Sequence, residues 1–316
     1  LNLEMHAALV ASIQNLADQA ANVLSGDTKK ALALWTENID VAKAVPPSTF
    51  GAYYDLVTAL QSDEFNRADT LIHEIMNAPT PQKTVQVRRL GHDYSADITR
   101  RFQAYMGNGK TDASGIAPPA AKDAEAFTQN LNAALAILDE YCPELAQEFH
   151  ELIREIILVA PDGSSEAEFE GGTSFKLWGA LFLNAECTPT PAQLAVTLAH
   201  EQGHAVLFGM CREEMLVHNL DDERFWSPIR QAKRPMEGIF HATFVSARMI
   251  DVLLTLRRNM PLSHSDRAKL ELDLETSANV YEDGVEIISR HARMTETGHA
   301  VFEDMTRTMD NRFAKV

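Results

Sequence analysis

Residues 194–208, LAVTLAHEQGHAVLF, constrain this chain more than any other stretch. An α-helix turns roughly 100° per residue, so side chains four apart lie almost above one another. His200 and His204 therefore aim two imidazoles at one point. Glu201, one residue round, reaches a group bound there without crowding the pair. This is the HExxH arrangement of two metal ligands and one carboxylate. Leu194, Val196, Leu198, Val206, Leu207 and Phe208 make the helix a buried one. An imidazole left without a partner in such a place costs roughly 1–3 kcal/mol. Either a metal meets that need, or the two histidines are core residues bonded to backbone or carboxylate. His-Glu occurs at residues 73, 150 and 200, and only the third has a histidine four places after the first. That favours metal.

With 316 residues the chain has length for one large or two ordinary domains. Its net charge of −17 repels nucleic acid and anionic membranes, but identifies no specific partner. Cys142, Cys187 and Cys211 stand far apart without a CxxC pair, which speaks against a disulfide scaffold or a thiolate metal site. No apolar run is read as approaching the roughly 18–20 residues that span a bilayer. LNLEMHAALVAS lacks the basic start of a secretion signal, so a cytoplasmic protein is expected.

Helical periodicity runs through 3–25 and 28–44, and a helix over about 50–77 is expected to be capped by Ser48. A segment near 84–106 carries Arg88, Arg89, Arg100 and Arg101. A loop over 107–119, rich in Gly, Asn, Asp, Ser and Pro, reads as the most mobile stretch. Two helices separated near Pro143 fill 122–156. The first half is thus expected to be almost wholly helical, with no motif that carries chemistry. The pattern then changes. Residues 156–160 form a β-type run, followed by 171–175 and the apolar 177–183. These strands either roof the core or offer an edge that holds an extended peptide. Pro191 opens the motif helix. The expected fold is mainly α: a helical bundle over 1–155, with a possible peptide-binding role, and a helical metal-binding catalytic domain over 156–316 with a small β-sheet edge.

Two histidines do not complete a site. One known continuation places Gly three and His six residues after the second His. Leu207 and Met210 stand there and exclude it. Glu213, Glu214, Asp221, Asp222, Glu223 and His218 form a charged segment that reads as exposed. The helix from Pro235 to Leu256 is apolar nearly all round, so Glu237, His241 and Arg248 stand out. Glu237 and His241 share a face. Arg248 lies two turns beyond His241, roughly 10 Å along the axis, and leans back toward it.

The run GGTSFKLWGALFLNAECTPTPAQLAVTLAHEQGHAVLF, followed by RFWSPIRQAKRPMEGIFHATFVSARM, resembles the HExxH-type 2-oxoglutarate-dependent peptide β-hydroxylases that act on ribosomally made, post-translationally modified peptides. The likeness covers about 171–250: the HExxH, Trp226-Ser227-Pro228, Arg234-Pro235, His241 and Arg248, with a looser echo at Thr295-Glu296-Thr297-Gly298. It implies a zincin-like HExxH helix, Fe(II), and 2-oxoglutarate and O2 as co-substrates for hydroxylating a peptide side-chain Cβ. His200, His204 and His241 would hold the iron. Glu201 would act from beside it, and Arg248 would take the distal carboxylate of 2-oxoglutarate, as its planar fork allows. The alternative for Arg248 is an ion pair with Asp251, three residues on, or with another core acid. Glu237 rivals His241 as third ligand, and whichever does not bind can orient the other. The ligand types alone also suit a zinc metallopeptidase with Glu201 as general base. A non-enzymatic peptide-binding module with a structural metal is a third reading.

Overall fold

The structure, a computed structural model, describes every residue except 21, 40–44, 81, 83, 108–114, 164–168, 228–231 and 315–316. Most of the loop expected to be mobile, 108–114, lies outside the described residues, as does Pro228 of the Trp-Ser-Pro match. The protein is mainly helical with a small mixed sheet, as expected. Its compact units do not divide at 155/156. One comprises Leu1–Glu125 with His150–Cys187, the other Ala126–Phe149 with Thr188–Val316.

The first unit carries α1 (Asn2–Gln19), α2 (Gly26–Asn38), α3 (Pro47–Gln61), α4 (Phe65–Met76), β1 (Gln86–Arg89), α5 (Ala96–Met106) and β2 (Ile116–Ala117). After α6 (Ala121–Tyr141) and α7 (Pro143–Leu152) the chain supplies β3 (Glu155–Pro161), β4 (Gly171–Thr173) and β5 (Ala180–Asn184). Strands β1, β3 and β5 run parallel, β4 closes the β5 side antiparallel, and β2 pairs with the end of β3. Residues 155–160 of β3 and all of β5 are buried. A continuous apolar run suits strands covered on both faces, and this explains the division: β3 and β5 must bury both faces, and Phe102, Ile157 and Phe182 share one core cluster.

The expected single helix over 50–77 is two helices, α3 and α4. The chain turns at Asp63, whose φ of 58° lies in the left-handed region, without any Gly or Pro to mark the break. Ser48 is not the cap; Pro46 stands at that position and Pro47 opens α3. Arg101 of α5 joins the helices. Its Nε donates to Asp55 (2.6 Å), and its two terminal nitrogens donate to Glu74 (2.6 and 2.9 Å). Burial pulls this guanidinium down, but the bonds to Glu74 and Asp55 outweigh burial and hold it above its ordinary range. Arg101→Met should lower the unfolding free energy by about 2–3 kcal/mol in a denaturant titration. That is less than a fully buried pair would lose, because the Glu74 side chain is 35% exposed.

Glu155 accepts a hydrogen bond from the Tyr94 hydroxyl at 2.8 Å. Burial raises its carboxyl, and the Tyr94 bond and Arg88 offset this only in part. The stability it contributes is full below its ordinary value of 4.5 and is lost as pH rises through the raised folded value. Glu155→Gln should therefore raise the thermal midpoint at pH 7 relative to wild type, and leave it unimproved at pH 4.

The second unit is built on α8 (Pro191–Met210), the hairpin β6 (Arg224–Ser227) and β7 (Ala232–Pro235), α9 (Met236–Asn259), α10 (His264–His291) and α11 (Glu296–Phe313). Thr190 and Gln193 form a reciprocal capping box at the start of α8, with Pro191 in its first turn. Helix α9 packs against α8, α10 and α11. Contrary to the sequence reading, α9 is long and apolar enough by length and composition to cross a bilayer. Its buried residues, among them Met236, Ile239, Phe240, Ile250 and Leu254, pack within this unit's core.

Candidate metal centre

Helix α8 presents His200 and His204 one turn apart, their rings meeting edge-on with centroids 4.9 Å apart. Helix α9 brings His241 against the second. The Nδ1 atoms of His204 and His241 stand 3.2 Å apart, with the rings stacked at 21°. Glu201 is buried, and its Oε1 lies 4.0 Å from His200 Nε2. On the far side of His241, Glu237 Oε1 is 3.7 Å from Nε2. Both Glu237 oxygens are buried without a hydrogen-bond partner among the described residues. His241 thus turns one ring nitrogen to His204 and the other to a carboxylate.

Of these donors, the His204–His241 pair has the spacing of two ligands on one divalent transition metal. Two nitrogens bound to one cation at about 2.0–2.1 Å each are separated by about 3.0–3.4 Å at ordinary coordination angles. The His204–His241 spacing falls inside that interval. A carboxylate behind the second ring nitrogen is the usual outer partner of a ligating histidine. Among the described residues, however, no group of three or more His, Cys, Asp or Glu side chains is arranged to hold a metal ion. His200 departs from the arrangement, since its Nδ1 meets Met249 Sδ at 3.2 Å. Burial pushes the Cys211 thiol up to about 12, and Glu237 adds to this, so Cys211 is a neutral thiol at neutral pH. His218 is exposed. Of the acids around it, Glu223 pairs with Arg293 and Glu214 accepts the Thr297 N–H.

Neither a protein-family model nor a curated protein matches this chain. The centre therefore rests on the geometry of its own residues.

Arg248 is placed differently from the three histidines. It forms an ion pair with Glu148 of α7, while Asp251 pairs with Arg312. Gln202 Nε2 donates to the same Glu148 Oε1 at 2.6 Å and to the Leu145 carbonyl at 3.2 Å. Gln202 follows His200 by two residues, roughly 200° around the helix, so these contacts lie away from the imidazole face. The next residue on α9, Met249, touches His200. Sequence reasoning missed Glu148, Gln202 and Met249. Only Gln202 carried a signal: an amide inside a buried helix must find partners.

Gly203 completes the contact between the two helices. A Cβ built there meets Arg248 Cδ at 3.0 Å and Val245 Cγ1 at 3.1 Å. Gly203→Ala should push α9 outward by a few tenths of an ångström and carry His241 away from His204. The expected result is about a tenfold loss of metal affinity by calorimetry, with the circular dichroism unchanged.

Proposed function

We propose that His200, His204 and His241 hold one Fe(II), and that the chain is a 2-oxoglutarate-dependent oxygenase hydroxylating a side-chain Cβ of a peptide through a zincin-like HExxH helix. One observation supports this most: ring nitrogens from two different helices stand at the spacing of two ligands on one cation, with a carboxylate behind one of them. Fe(II) bound there, with 2-oxoglutarate and O2, supplies the oxidising power for C–H hydroxylation. The protein's own groups have separate tasks. Glu237, 3.7 Å from His241 Nε2, would accept a hydrogen bond from that N–H after a small approach, and so keep Nδ1 free to ligate. Glu201, buried beside His200, would orient a group held beside the imidazoles by hydrogen bonding. To meet the distal carboxylate of 2-oxoglutarate, Arg248 would have to release Glu148 and turn toward the imidazole face of α8.

A second reading, a zinc peptidase, draws support from that same engagement of Arg248. It is also favoured by the position of Glu201, within reach of the imidazoles as a general base. Anaerobic loading with Fe(II), addition of 2-oxoglutarate and admission of air separate the two. Succinate release, and a peptide product heavier by one oxygen, is the result expected of the oxygenase. Peptide cleavage by the zinc-loaded protein without an oxygen requirement would replace it with the peptidase.

A further inference from the structure

Two residues between the paired histidines of the motif, Gln202 and Gly203, each meet one partner of a single ion pair: Gln202 meets Glu148 and Gly203 meets Arg248. Gln202 is fully buried, and its amide donates to Glu148 Oε1 at 2.6 Å. Arg248 lays its stem over Gly203, and its NH2 ends on that same oxygen of Glu148. One carboxylate oxygen on α7 thus receives a donor from α8 and a donor from α9. The second contact of Gln202, with the Leu145 carbonyl, fixes the same turn of α7 against α8. Arg248 and His241 are seven residues apart on one rigid helix, so a shift of the first along or across α8 moves the second by a similar amount.

We infer that Glu148 is a positioning residue of the metal centre: by bridging Gln202 and Arg248 it sets how α9 seats on α8, and hence the distance between His204 and His241. This assigns Glu148 and Arg248 a role neither had in the sequence, and it rests only on the metal-holding part of the proposed function. The carboxylate is suited to the task. A single charged acceptor shared by a guanidinium and a buried amide is stronger and more directional than either contact with a neutral partner. It is also half-exposed, at 39%, so it reaches the bridge from the surface without burying an isolated charge.

Co(II) serves as the probe, because its visible absorption reports ligand geometry as well as affinity. Glu148→Ala should weaken Co(II) binding about tenfold and shift its visible bands, whereas Glu148→Gln, which keeps an acceptor oxygen but loses the charge, should fall between alanine and wild type. Arg248→Met retains the stem over Gly203 and removes the guanidinium. It should reproduce the alanine spectrum, and it carries the test if Glu148→Ala fails to fold. A merely structural Glu148 would lower the melting temperature and leave the folded protein with wild-type Co(II) affinity and spectrum, and that result overturns the inference. Failure of the wild type itself to bind Co(II) overturns the metal reading and this inference together. The two failures are told apart by which protein shows them.

Discussion

Replacement of His241 by alanine is expected to abolish metal binding, whereas Glu237→Gln should retain the metal with affinity reduced about 10–100-fold. The difference follows from the two faces of one ring. His241 Nδ1 is 3.2 Å from His204 Nδ1, and its Nε2 is 3.7 Å from Glu237 Oε1. Removing the ring leaves two donors from α8 alone. Removing the charge of Glu237 leaves all three imidazoles and loosens the orientation of one. Equilibrium dialysis of both variants against Fe(II) under nitrogen checks this. Loss of metal in Glu237→Gln with retention in His241→Ala would exchange the roles, making Glu237 the ligand and His241 its support.

Gly298→Ala is expected to cost at least about 3 kcal/mol, the upper end of what overpacking does, because the obstruction is backbone. A Cβ at Gly298 falls 1.9 Å from the Leu216 carbonyl oxygen. Thr295 pins the start of α11 to the same stretch. Its N–H donates to the Leu216 carbonyl at 3.0 Å, its hydroxyl donates to the Met215 carbonyl at 2.7 Å, and its Oγ1 accepts from the Gly298 N–H. Leu216 lies in the cluster with Leu207, Met236 and Phe240, which joins the end of α8 to the start of α9. Chemical denaturation measures the loss, and a change below about 0.5 kcal/mol would show that α11 can move away from Leu216. These contacts give the Thr-Glu-Thr-Gly echo a structural reason: a cap and a close backbone approach.

What the sequence revealed follows from which forces are local. Helix α8 was legible because its opening proline, its apolar positions and its paired histidines all act within a few residues. Helix α9 was legible because three polar residues interrupt an apolar rod. The β-type run at 156–160 became β3. Strand β1, Gln-Val-Arg-Arg, was hidden, since its polar residues give no alternation and it exists by pairing in parallel with β3. The break between α3 and α4 was hidden because Asp63 makes a turn usually left to Gly or Asn. The engagement of Arg248 could not be read either. Its partner Glu148 lies 100 residues away on a helix with no motif, and long-range pairing leaves no periodic trace.

The central claim, one cation held by imidazoles from α8 and α9, is tested most directly by X-ray absorption on protein loaded anaerobically with Fe(II). The account requires one metal per chain, with outer-shell scattering from three imidazole rings that falls to two in His241→Ala. No stoichiometric metal, or a first shell without histidine, would contradict it.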